Sequence, residues 1–378
     1  MAKILIISPS YTHPTTAGNR KCILDYCTLL RQMGHEIYFL LVSDDKLNNN
    51  AYISTRNYWE NHFFLYQSSK IRCLKRHIIN RIRKHICNYY WQIDDWCPNG
   101  ISKYINNLHK IYNFDAAIVN YVYLSKIIPQ LNIKKIALYT HDCFLHKSKR
   151  VGFNADFTLE PSEESKGLIR CKNILSIQEN ETQLFRYLSP LSNVYTVYSY
   201  FEYNELPLIG NMNLLFFSGP NVFNINGIRN FIFNIYPNLK QEFPELKLLI
   251  GGKICDIIKD WELTNDIELK GEYEDQKDFY KLGDIVINPV YQGTGLKIKT
   301  FESLSYGRIT IVHTHSCEGV YRKETAPLLT ANTSEDYIKY LKTYIDIEKR
   351  NKTLNEIKTY MLSFQQHVKN EFIKALEL

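Results

Sequence analysis

Short apolar runs alternate along most of the chain with stretches whose apolar positions recur every three or four residues. Runs of the first kind predict buried strands, those of the second amphipathic helices, and their alternation predicts parallel sheets built from β-α units. Ile4–Ser8 opens the series as a strand, Ile23–Met33 follows as a helix stopped at Gly34, and Glu36–Ser43 is the next strand. Ala116–Asn120, Ile136–Thr140, Ile174–Gln178 and Val194–Tyr198 complete a first sheet. A second series starts at Leu214–Ser218, with a helix over 228–241 and strands at Lys247–Ile250 and Ile267–Leu269. It continues through a helix over Gln276–Leu282, the strand Ile285–Asn288, a helix over Lys299–Ser305 and the strand Thr310–Val312. From Glu335 onward the pattern is helical.

Two successive series imply an α/β fold of two Rossmann-like, doubly wound domains, which suits a length of 378 residues. The expected divisions are 1–203, 204–355, and a helix over 356–378 packing back on the first domain. Glu202–Asn213, with Pro207 and Gly210, is the best linker. Such sheets bind ligands beyond the carboxyl ends of their strands, so two of them facing across a cleft would put one substrate on each wall.

Composition narrows the classes. Hydrophobic residues at 45% and charged residues at 22% describe a folded soluble protein. The nine cysteines include no C-x-x-C pair, which argues against a zinc site or a disulfide framework and fits reduced thiols in the cytoplasm. The apolar run after Met1-Ala2-Lys3 is too short for a signal peptide, and no stretch has the length of a membrane span.

The net charge of +7 is concentrated. Residues 61–93 hold Lys70, Arg72, Lys75, Arg76, Arg81, Arg83 and Lys84 and no acid. Within that run Ile71, Leu74, Ile78, Ile82, Ile86 and Tyr89 fall at helical spacing. The expectation is a basic amphipathic helix over 68–90 lying on an anionic membrane surface. The same spacing also describes a helix that packs its isoleucines on the core and leaves its cations in water. A nucleic-acid partner is the rival suggested by this run, but no recognisable nucleic-acid module accompanies it, and none is expected to bind.

The strongest chemical signal is the stretch from Asn288 to Glu302, where an apolar strand runs into a helix. Gly293 and Gly295, flanking Thr294, let the backbone approach a ligand closely. A helix start offers unpaired N–H groups and positive potential to a diphosphate, and Lys297 and Lys299 add cations at the same end. Glu302, one turn on, can accept hydrogen bonds from ribose hydroxyls.

This stretch resembles the donor-site signature of family 4 glycosyltransferases of the GT-B architecture, with Lys297, Lys299, Glu302 and Gly307 in register and Ser303 where alanine is usual. Many members carry a glutamate at the position of Thr294. Ile309–Val312 and Glu318-Gly319 continue the likeness, and Phe216 to Asn226 resembles the family's first C-terminal strand and glycine loop, which brings in Gly219 and Asn226. In the first half, Thr15–Arg20 is similar to the loop that lines the family's cleft, so the resemblance implies roles for Gly18 and Arg20. His141, ending the strand Ile136–Thr140, stands where the family places a histidine near the donor sugar, and Glu179 resembles a later N-domain position.

The resemblance implies transfer, with retention of anomeric configuration, from a UDP- or GDP-linked sugar to a saccharide or lipid-linked acceptor in bacterial surface polysaccharide synthesis. It implies lysines rather than a metal at the diphosphate. Consistently, the chain has no D-x-D; Asp44-Asp45 and Asp94-Asp95 are adjacent pairs outside the signature. A GT-B epimerase and a non-catalytic basic binding protein remain the alternatives.

Overall fold

The computed structural model describes the chain from Met1 to Leu378 apart from residues 16–17, 44–46, 69, 87–89, 153–156 and 294. At 70, 73, 76, 80, 83 and 84 it describes the backbone alone. The chain forms two compact units, Met1–Tyr200 with His367–Leu378, and Phe201–Gln366. The divisions therefore fall at 200/201, close to the expected 203/204, and at 366/367, well after the expected 355/356.

The strands of the first unit are β1 (Lys3–Ser8), β2 (Glu36–Ser43), β3 (Phe63–Gln67), β4 (Tyr90–Trp91), β5 (Ala116–Asn120), β6 (Lys135–Tyr139), β7 (Thr158–Leu159), β8 (Asn173–Ser176) and β9 (Asn193–Thr196). Its helices are α1 (Gly18–Gln32), α2 (Asn49–Trp59), α3 (Lys70–Ile86), α4 (Ile101–Tyr112), α5 (Lys147–Val151), α6 (Pro161–Leu168) and α7 (Glu179–Leu188). Seven strands make one sheet in the order β3-β2-β1-β5-β6-β8-β9, while β4 and β7 pair separately. The sheet's ladders are parallel. Helices cover both faces of such a sheet, which explains why Ile4, Leu5, Ile6 and Ile7 are all fully buried and read as one apolar run.

The second unit holds β10 (Leu214–Phe217), β11 (Leu248–Gly251), β12 (Ile267–Gly271), β13 (Ile285–Asn288), β14 (Ile309–Val312) and β15 (Leu328–Thr330). Between and after them run α8 (Val222–Asn230), α9 (Tyr236–Glu242), α10 (Cys255–Ile258), α11 (Gln276–Tyr280), α12 (Ile298–Ser305), α13 (Ser334–Tyr344) and α14 (Ile347–Leu376). The strand order β12-β11-β10-β13-β14-β15 is that of a Rossmann sheet. The helix expected over 228–241 starts earlier, at Val222, and is interrupted by a π turn, Phe231–Ile235, between α8 and α9.

Two features hold the ends of these units. Asp284, fully buried, accepts hydrogen bonds from the backbone N–H groups of Ile209 and Gly210, both 2.9 Å, and from Arg308 and Arg350. That carboxylate thus fastens the segment before β10, the start of β14 and the start of α14. At the other end of α14, Phe372 packs beside Tyr26 and Tyr139, and Asn173 Nδ2 donates to the Ala375 carbonyl at 2.9 Å. The seven described cysteines recorded as free are all buried.

Candidate functional site

In the second unit β10 and β13 are neighbours whose connections leave in opposite directions, so their following loops diverge and open a crevice. The residues singled out in the sequence gather there. Gly293 and Gly295 have φ of +113° and +77°, a left-handed backbone open to glycine at little cost. Lys297 caps α12 and its Nζ turns back to the Gly293 carbonyl at 3.3 Å. Thr294 lies outside the described residues.

Lys299 reaches across to α8, where its Nζ donates to Asn224 Oδ1 at 2.5 Å and sits 5.4 Å from the Phe216 ring. Burial pushes its ammonium down to about 7, opposed by the Glu302 carboxylate and reinforced by Lys297. Burial likewise lowers Lys297. Two cations are thus held close together with little solvent, a costly arrangement that an anion would relieve. Glu302 is buried and takes a hydrogen bond from the Tyr280 hydroxyl at 3.3 Å. Ser303, fully buried, satisfies its hydroxyl on the Thr300 carbonyl and Thr310, so it costs nothing where alanine was expected.

Gly219 follows β10, and its carbonyl accepts from Asn224 Nδ2 at 3.0 Å. Asn226 lies on α8 without a side-chain hydrogen bond among the described residues. The amide that meets the lysine is Asn224, fixed by the N-cap Asn221, which sequence reasoning passed over in favour of Asn226. Tyr280 is the second residue it missed.

In the first unit the arrangement differs from expectation. α1 begins at Gly18, not Ile23, so Gly18 and Arg20 lie in its first turn rather than in a loop. Arg20 stands over the Tyr11 ring at 5.5 Å. Asn19 Nδ2 donates to the Tyr121 hydroxyl at 3.3 Å, and the Tyr121 ring lies 4.9 Å from His141. His141 has φ +58° just past β6 and lies 4.2 Å from the Tyr139 ring. Its Nε2 pairs with Asn120 Oδ1 at 2.6 Å, and its Nδ1 lies 3.8 Å from the Cys22 sulfur. With an acceptor oxygen at Nε2, that nitrogen carries the proton, and burial pushes the imidazole down to about 3, so it stays neutral. Both ring nitrogens therefore face protein groups. Asn120 and Tyr121 were not singled out, although an asparagine closing the apolar run Ala116–Val119 was a readable signal. Glu179 opens α7 and accepts from the Thr196 hydroxyl at 2.8 Å.

Residues 212–346 match the family model for glycosyl transferases group 1. Over the whole chain, the sequence is similar to an uncharacterized 44.6 kDa protein in a cps region of Klebsiella pneumoniae, 22% identical and covering 97% of this chain and 96% of that one. Among solved structures, Anabaena HepE in complex with UDP and glucose superposes with a TM-score of 0.62 at 13% identity, over 98% of this chain and 99% of that one. TarM gives 0.66 at 10% identity, over 100% and 99%. At such identities the structural likeness speaks for the fold, and that fold is GT-B.

Proposed function

We propose that this chain, a glycosyltransferase of the group 1 type, binds a UDP- or GDP-linked sugar on its second unit and transfers the sugar with retention to a saccharide or lipid-linked acceptor. The observation that carries the reading is the pair of half-buried lysines at the start of α12 beside a left-handed glycine loop. A diphosphate placed there meets Lys297, Lys299 and the α12 N-terminus, while Glu302 is positioned for the ribose. As the bond to the sugar breaks, negative charge grows on the departing diphosphate, and cations already desolvated stabilise it without reorganising. On the first unit, Gly18, Arg20 and His141 are assigned to the acceptor side, His141 as a neutral ring whose two nitrogens both face protein groups. Synthesis of a bacterial surface polysaccharide such as capsule is supported by the relative in a cps region. Donor hydrolysis and transfer measured over a panel of UDP-, GDP- and CMP-sugars tests the proposal; no turnover and no nucleotide binding with any of them would end it.

Counter-charge at the diphosphate comes from the lysines, so full turnover is expected in excess EDTA. Turnover lost in EDTA and restored by Mn²⁺ would show the site misread. We also assign α3 to an anionic membrane surface carrying the acceptor. Ile71, Leu74, Ile78, Ile82 and Ile86 are between 51% and 81% exposed, so this face does not pack on the core. The helix is held instead through Ile79, partly buried against the core, and Arg72, which donates to the Cys97 carbonyl. Tyr89 lies outside the described residues. No helix among the described residues is long and apolar enough to cross a membrane. Vesicles containing phosphatidylglycerol should co-sediment the protein more than neutral vesicles, and Arg81, Arg83 and Lys84 changed to Ser should remove the difference. Equal sedimentation would refute the assignment.

A further inference from the structure

The second unit carries a cavity that touches the donor stretch at Pro289 and Tyr291 but includes neither its glycines nor its lysines. It has a volume of about 170 Å³, and its polar lining is Asn230, Tyr291, His313, Asn332 and Tyr337. These residues follow the ends of β13, β14 and β15 or face them from the end of α8 and from α13. Gly227 seats α8 so closely on the chain after β13 that an added Cβ would lie 2.9 Å from Val290 Cα. One turn before that contact Asn224 meets Lys299; one turn after it, Asn230 reaches the cavity.

The lining has a consistent polarity. Asn230 Oδ1 already accepts from Asn234 at 2.8 Å, which leaves its amide hydrogens to donate. His313 Nδ1 accepts the His315 N–H at 3.1 Å, so its proton sits on Nε2. Asn332 Oδ1 accepts from the Thr314 N–H at 3.1 Å and from its hydroxyl at 3.0 Å, and Asn332 Nδ2 donates one hydrogen to the same hydroxyl oxygen at 2.7 Å. The Tyr337 hydroxyl is buried with no partner among the described residues, a position that ordinarily has an explanation. Asn230 and His313 thus have their side-chain acceptors engaged and keep N–H donors. No lining side chain is charged, since burial and the neighbouring His315 hold His313 below its usual value.

We propose that this cavity binds a single neutral sugar ring. Uncharged donors around apolar walls such as Pro289 and Ile235 suit a ligand rich in acceptor oxygens, and the absence of a lining cation disfavours a phosphate or a nucleotide. The volume is below the roughly 300–1,000 Å³ of sites for drug-sized ligands, which points to one ring. The π turn Phe231–Ile235 is an independent indication: Asn230 precedes it and Ile235 ends it, and both line the cavity. Such turns interrupt a helix at some cost and concentrate at functional sites. His315 Nε2 in turn meets the Gly293 carbonyl at 3.0 Å, so the cavity wall is two hydrogen bonds from the glycine loop. The role assigned here, holding a ring of the acceptor glycan beside the donor loop, rests on the transferase reading above; ring binding itself does not.

Saturation-transfer NMR with the methyl glycosides of glucose, galactose and N-acetylglucosamine tests it. At least one should bind the parent protein, and Tyr337→Phe should bind it roughly tenfold more weakly for the lost hydrogen bond. Because that hydroxyl has no protein partner, Tyr337→Phe should melt at the parent's temperature. His313→Phe provides the second variant, and Glu302→Ala should retain the glycoside. Absence of binding by all three glycosides, or equal binding by the parent and both cavity variants, overturns the proposal. UDP and GDP titrated into the same proteins separate the two readings: their failure to bind the parent would sink the donor site and leave ring binding standing.

Discussion

Lys299 and His141 each sit past or between strand ends of a doubly wound sheet, and each is half-buried, yet their surroundings have opposite effects on a ligand. Around Lys299 the second unit places a further cation and a buried carboxylate, with only one amide, Asn224, bonded to the ammonium. Its charge is left for a partner. Around His141 the first unit places Asn120, Cys22 and three tyrosine rings. Tyr26 completes the set by donating to Asn120 at 2.9 Å, and the cluster is neutral and closed on itself. Burial alone therefore does not mark a binding site. What distinguishes the two is whether the buried charge or hydrogen-bonding capacity is already met by the protein.

The largest expected effect of breaking this contrast is at Lys299. Lys299→Ala should slow transfer by about 2.7–4 kcal/mol of barrier, with a smaller loss in nucleotide affinity, measured as kcat against Kd. Glu302→Ala comes next: nucleotide titration should show a loss of about 1.5–3 kcal/mol through the ribose, and parental affinity would remove Glu302 from the site.

At His141 the expected effect is on stability rather than affinity. Burial holds its folded pKa at about 3, below the ordinary imidazole value of about 6.5, so the unfolded chain takes up the proton first on acidification. The histidine's contribution is complete above about pH 6.5 and is lost as the pH falls toward 3, by up to about 1.4 kcal/mol per pH unit. Glu164 and Glu181, which burial raises to about 8, run the other way, losing stability as the pH rises. Comparing denaturation of the parent and His141→Gln between pH 5 and 8 cancels them; the difference should widen in favour of the variant as the pH drops. The smallest effect sharpens the comparison within the second unit. Asn226→Ala should change nucleotide affinity and stability by less than about 0.5 kcal/mol, whereas Asn224→Ala should exceed that.

Strands were the most legible part of the fold. Glu36–Ser43, Ala116–Asn120 and Ile285–Asn288 are observed with the bounds expected from their apolar runs, because both faces of a parallel sheet are covered. β3 escaped notice because it is an edge strand whose FFLYQ residues are only partly buried and which leads directly into the basic run. Helix starts were the weakest. Gly18 and Asn19 are poor helix formers, and α8 reads VFNINGIRN, so packing rather than propensity decides both. The donor segment was legible since its glycines, lysines and glutamate lie within ten residues of one another. Asn224 was not, because it meets Lys299 across a sequence separation of 75.

The buried Asp284 also sets an order of events during synthesis. Its partners are at 209–210, 308 and 350, so a ribosome must have delivered Arg350 before that carboxylate is fully matched. The first unit waits longer still, since Phe372 and Ala375 complete the contacts made by Tyr26, Tyr139 and Asn173. Most of the first unit leaves the exit tunnel early and must persist through nearly half of translation without its last helical segment, His367–Leu376. A premature stop within α14 therefore harms the unit made first as well as the unit made last.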